Sequence, residues 1–179
     1  LDGVIVTTEH NHFVAWKRTA DQLDVPFSEK ENELLKGVSR VDSLKKILEL
    51  GNKTISQDQF DSLLLEKNKF YLDSIAELTR EDLLPGVLDL LNEARELGIP
   101  MAIGSSSKNA PFIIELLNLQ NYFVTIIDGN KVKDPKPHPE VFLNAAEAMQ
   151  LNPADCIVFE DAESGILAAK AGGFFAVGV

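Results

Sequence analysis

A single cysteine, Cys156, leaves this 179-residue chain no partner for an internal disulfide, which fits a reducing compartment. No run of 18 apolar residues exists, which excludes a membrane-spanning helix. No basic stretch followed by an apolar one opens the chain, so no signal peptide is visible. Positive charge is also scarce. Seventeen Lys and Arg stand against 28 Asp and Glu, for a net charge of −11 and a pI near 4.7. A binder of phosphate backbones needs a basic face, so nucleic acid is a poor partner. What is present suits a globular fold. Hydrophobic residues make up 45% and charged residues 25%, enough for a core and too apolar for disorder. The length fits one domain, or a core with a smaller inserted module.

The charge is uneven. Residues 1–85 hold 11 of the 17 bases, whereas residues 86–179 hold 12 acids against 6 bases. An acidic half that handles an anion needs a cation to help it.

Two textures follow one another. Residues 9–82 read as helices only. Phe13, Trp16, Ala20 and Leu23 recur at helical spacing. Ser28 with Glu31, and Ser56 with Gln59, have the spacing of capping boxes. Gly37 and Gly51 read as stops, and Val41, Leu44 and Leu48 as the apolar side of the helix between them. Phe60, Leu64, Lys67 and Tyr71 fit a further helix. From Pro85-Gly86 onward, helix and strand alternate. The short apolar runs are Ile99 to Ile103, Phe123 to Ile127, Cys156 to Phe159 and Phe174 to Val179. The expected fold is α/β: a small helical bundle followed by a doubly wound, Rossmann-like parallel sheet.

Ligands of such sheets bind at the carboxyl ends of the strands, where the polar residues fall. Glu160-Asp161 follows one strand. Two hard-oxygen donors there suit magnesium, although acids also commonly precede helices. Gly104-Ser105-Ser106-Ser107-Lys108-Asn109 follows another strand and could cradle an anion, or could be an ordinary serine-rich loop. Lys136 stands between two prolines that fix its backbone, in a stretch that could equally be a rigid surface loop. His10 and His12 point to different faces of a helix, which argues against a joint metal site. Trp16 reads as packing. Lys36 and Arg40, in the turn Lys36-Gly37-Val38-Ser39-Arg40, could meet an anion or be solvated.

As an ordered set these pieces resemble the haloacid dehalogenase superfamily of phosphoryl-transfer enzymes. Leu1-Asp2-Gly3-Val4 resembles the end of its first motif. Ser105 resembles the second, Lys136 in Lys-Pro-His-Pro the third, and Glu160-Asp161 the fourth. The helical stretch resembles the superfamily's inserted cap, which implies a core over residues 1–8 and 81–179 with an all-helical cap inserted at 9–80. His12-Phe13-Val14-Ala15-Trp16-Lys17, Leu35 to Arg40 with Asp42-Ser43-Leu44, and Ser105 to Asn109 with Pro111-Phe112 resemble its sugar-phosphate mutase members. Three positions depart. The nucleophilic aspartate of the superfamily lies two residues before the one matching Asp2, so it is expected ahead of Leu1, in a longer chain. Thr7 stands where mutases usually have aspartate, and Ala162 replaces a frequent serine.

The resemblance implies phosphoryl transfer between C1 and C6 of β-glucose phosphates through an aspartyl phosphate and a bisphosphate. It implies magnesium held by Glu160, Asp161 and the backbone carbonyl of Asp2. Asp2 would be general acid and base, and Ser105 and Lys136 would hold the transferring phosphoryl group. Ser107 and Asn109 would lie close by. Arg40 and Lys67 would receive the second phosphate and the sugar, with His12 at the hinge side. Closing the cap would exclude water, which separates a mutase from a phosphatase. A cytoplasmic monomer acting on small sugar phosphates, with no membrane partner, is the accompanying expectation. A sugar-phosphate phosphatase of the same superfamily is the alternative. A signalling receiver domain and a non-catalytic phosphosugar binder are more distant readings.

Overall fold

The computed structural model describes residues 1–179 and separates into two units, Leu1–Thr7 with Leu78–Val179, and Thr8–Glu77.

The Thr8–Glu77 unit holds four helices: α1 (Glu9–Gln22), α2 (Glu29–Glu33), α3 (Arg40–Leu50) and α4 (Gln57–Ser74). Local chemistry sets their starts. Capping boxes form at Ser28 with Glu31 and at Ser56 with Gln59, and the Ser39 hydroxyl accepts the Asp42 N–H at 3.2 Å. Gly51 closes α3. Trp16, Ala20, Val25, Phe27, Leu35, Leu44 and Ile47 bury together, with Phe60 and Leu64 packed against them. Burying a large apolar side chain contributes about 1.5–3 kcal/mol, so this cluster holds the unit together. Val41, expected on the apolar side of α3, is exposed, whereas Leu44 is buried as expected, together with Ile47.

The other unit alternates α5 (Val87–Glu96), β1 (Ala102–Gly104), α6 (Ala110–Leu116), β2 (Thr125–Ile127), α7 (Glu140–Met149), β3 (Ile157–Glu160), α8 (Glu163–Ala171) and β4 (Phe175–Gly178). All pairing between strands is parallel. β1 pairs β2 from Ala102↔Thr125 to Gly104↔Ile127, and β3 pairs β4 from Ile157↔Phe175 to Glu160↔Gly178. Each pair is joined through a helix, as parallel neighbours require. The strands are shorter than the apolar runs that announce them, because Ile99, Pro100 and Met101 precede the ladder. Val141, Phe142, Ala145 and Ala146 of α7 and Ala168 and Ala169 of α8 pack with Ile127, Val158 and Phe174. The two chain segments of this unit meet at Val6 and Leu83, which form an antiparallel bridge, and Leu84 N–H donates to Ile5 C=O at 2.9 Å.

Candidate active site

Three loops at the carboxyl ends of β1 and β3 and before α7 carry the polar residues of the larger unit. Ser105 follows β1 and is buried, with its N–H donating to Ile127 C=O at 2.9 Å. Its hydroxyl accepts the Ser107 N–H at 3.1 Å, and the Ser107 hydroxyl accepts the Asn109 N–H at 3.2 Å. Asn109 stands at the N-terminus of α6. The serine run is thus folded back on itself by its own hydroxyls.

Lys136 and Glu160 form the tightest element of the cluster. Lys136 Nζ donates to Glu160 Oε2 at 2.9 Å, and the two side chains are 5% and 6% exposed. The ammonium also lies 4.7 Å from the Phe142 ring centre. The peptide bond Lys136–Pro137 is cis. The other Glu160 oxygen accepts the Ala162 N–H at 3.4 Å. A Cβ added to Gly165 would fall 2.2 Å from the Glu160 carboxyl carbon, so the first turn of α8 leaves room for this acid only because Gly165 has no side chain.

Asp161 is the second acid at the end of β3. Burial first, and then the Glu160 charge, push its pKa above the ordinary carboxylate value. Asp2 adds a further like charge. Gly3, at φ +69°, lets its backbone come so close that a Cβ there would lie 2.3 Å from Asp161 Oδ2. Hard-oxygen donors, like-charge crowding and a close backbone make a set that fits magnesium, which favours carboxylates beside substrate phosphate.

The structure therefore brings Asp2, Glu160 and Asp161 into one electrostatic neighbourhood and ties Lys136 to Glu160. A different trio has its ligand atoms within 4.8 Å of one another: Asp134, His138 and Glu140. There the Glu140 carboxylate accepts the N–H groups of Lys133 and Asp134 at 3.0 and 2.8 Å, and His138 Nδ1 accepts the Glu140 N–H. These bonds fold the loop that presents Lys136.

The helical unit gathers its own polar cluster. Lys67, only 4% exposed, donates to His12 Nδ1 at 2.9 Å. His12 stacks on Tyr71 with ring centres 4.1 Å apart. Burial, then the charges of Lys67 and Arg40, hold the His12 pKa well below its ordinary value. Arg40, in the first turn of α3, is itself lowered by burial. Lys36 is not part of this group, because it is ion-paired to Glu9 at 2.8 Å and Glu33 at 3.0 Å.

Reasoning from spacing did not single out Gly165, Phe142 or Tyr71 as partners of the polar residues. A glycine in the first turn of a helix, where alanine is the better helix former, was the one readable signal.

The family model described as haloacid dehalogenase-like hydrolase matches residues 1–173. The chain is 44% identical over 181 residues to the beta-phosphoglucomutase of Bacillus subtilis (strain 168), covering all of this chain and 80% of that protein. It is 31% identical over 175 residues to a phosphorylated carbohydrates phosphatase of Thermotoga maritima, covering 97% and 79%. A crystal structure of beta-phosphoglucomutase from Clostridium difficile matches with a TM-score of 0.96 at 40% identity, over 99% of this chain and 81% of that one.

Proposed function

Because this chain belongs to the haloacid dehalogenase-like hydrolases, we propose that it serves phosphoryl transfer on a sugar phosphate, interconverting β-glucose 1-phosphate and glucose 6-phosphate. The observation that carries the mutase reading is the second polar cluster. Arg40, Lys67 and His12 gather in the helical unit, apart in the chain from the acids and Lys136. A bisphosphate intermediate needs cationic groups for both of its ends, whereas a phosphatase needs them for one.

In this reading the nucleophile is the aspartate that opens the family's first motif, whose end Leu1-Asp2-Gly3-Val4 resembles. An aspartyl phosphate splits the transfer into two easier steps. Asp2 takes and returns the proton of the sugar hydroxyl. Ser105 and Lys136 hold the phosphoryl oxygens, with Ser107 and Asn109 beside them. Glu160 and Asp161, with the backbone carbonyl of Asp2, would hold magnesium. Its chemistry is to offset the repulsion between carboxylate and phosphate. Lys136 stays paired to Glu160 until the phosphoryl group offers it a second anion. Arg40, whose fork matches phosphate bidentately, and Lys67 take the distal phosphate and the sugar, with His12 beside them.

The test supplies β-glucose 1-phosphate, magnesium and catalytic β-glucose 1,6-bisphosphate to the enzyme carrying its nucleophile and follows phosphorus NMR. Glucose 6-phosphate is the expected main product. Arg40→Ala loses a charge-assisted contact of about 2–4 kcal/mol, roughly thirty- to a thousand-fold in rate. Dominant release of inorganic phosphate hands the site to the phosphatase reading, which the Thermotoga maritima relative supports.

A further inference from the structure

Trp16 is the one tryptophan among the 179 residues, and burial explains its presence without using its chemistry. Its surroundings are specific. His12 and Trp16 are four residues apart on α1, and Lys67 and Tyr71 are four apart on α4, so each pair shares a helix face. The two pairs engage one another. Lys67 Nζ lies 4.6 Å from the Trp16 ring centre and 4.7 Å from that of Tyr71. Tyr71 is anchored in turn, with its hydroxyl 2.8 Å from the Thr8 hydroxyl, both residues fully buried.

With Lys67 as an ammonium, its bond to His12 has one sense. An ammonium has three N–H donors and no lone pair, so His12 Nδ1 must accept. The ring proton therefore sits on Nε2. A lysine side chain has many rotamers to lose, and something must hold this one at 4% exposure. Aromatic faces do so in a particular way. They attract the cation through the ring quadrupole.

We infer that Trp16 is a positioning residue, whose indole face, together with Tyr71, fixes the Lys67 ammonium and through it sets His12 as an Nε2–H donor. The ligand chemistry that such a pair receives is an anionic oxygen next to hydroxyl acceptors, as in a phosphorylated sugar. That last step rests on the reading of the helical cluster given above. The clamp itself does not.

Biosynthetic incorporation of mono-, di- and trifluorotryptophan weakens the ring quadrupole stepwise with little change of shape, and within these residues it alters Trp16 alone. Nitrogen-15 NMR of the His12 ring in the labelled enzyme should show a pyridine-type Nδ1 that moves stepwise toward the tautomer average as fluorines are added. Trp16→Leu should average it fully, and Trp16→Phe should restore part of the shift. The KM for the sugar phosphate should rise in the same order, by about two- to thirty-fold at the Leu end, with kcat changing less. A His12 spectrum that is flat across the fluorinated series overturns the inference, whatever Trp16→Leu does to folding. A spectrum that moves while KM stays flat upholds the clamp and instead removes the helical cluster from the substrate site.

Discussion

Lys136 Nζ and Glu160 Oε2 sit 2.9 Å apart with almost no water around either side chain, so each charge depends on the other. Removing one partner of a buried pair strands the other, at a cost of about 3–5 kcal/mol. Urea unfolding should therefore show Glu160→Ala and Lys136→Ala each strongly destabilised, and Lys136→Met with Glu160→Leu less destabilised than the sum of its parts. Additive behaviour would mean that the ammonium finds its main partner elsewhere.

Gly165→Ala tests the space in which Glu160 lies. In an ordinary helix this change gains about 1 kcal/mol. Here the new Cβ meets the Glu160 carboxyl carbon at 2.2 Å, so the sign should reverse, with a loss of about 1–3 kcal/mol. Glu160→Asp in the same background shortens the acid and should restore part of the loss. Thermal melts of the wild type and these two variants decide the matter, and a stabilised Gly165→Ala contradicts the close approach.

Magnesium should stabilise the folded protein without any substrate. A ligand at ten times its Kd adds about 1.4 kcal/mol. The melting temperature should rise with magnesium and fall back with chelator. Asp161→Asn should lose that response while keeping its fold. An equal response in wild type and Asp161→Asn places the cation at another site, for which Asp134, His138 and Glu140 are the candidates.

His12 gives the helical unit a pH dependence. Its folded pKa lies well below the ordinary 6.5, so the unfolded chain binds a proton that the folded one refuses. Stability is fully present above about pH 6.5 and is lost as pH falls from there toward the depressed value. The slope is at most about 1.4 kcal/mol per pH unit for one proton. His12→Gln should flatten it between pH 6.5 and pH 5. Equal slopes in the two proteins would show that another group titrates in that window.

The layout of the fold is legible where chemistry is local. Ser28 with Glu31 and Ser56 with Gln59 announce helix starts, because a capping box spans only four residues. The alternation after Pro85 announces parallel strands, and Glu160-Asp161 stands at the end of one of them, β3. What is not legible joins residues distant in the chain. Nothing near Trp16 points to Lys67, and nothing near Lys136 points to Phe142. Lys36 and Arg40 look equivalent in their shared turn, yet Glu9 and Glu33 claim the first and burial marks the second. Only folding separates the two.

The bridge between Val6 and Leu83 also sets an order of assembly. The chain that must be closed into a loop before these residues can pair is the Thr8–Glu77 unit. For a flexible loop of about 70 residues, closure costs roughly 4 kcal/mol in chain entropy beyond a constant. The helices in that loop carry their own caps and their own apolar cluster, so they can form before the bridge does. A loop already folded is shorter for the purpose of closure, and the entropic cost falls accordingly. The same arrangement makes the insert exchangeable: another self-contained helical unit with closely spaced ends would leave the pairing of Val6 with Leu83 in register.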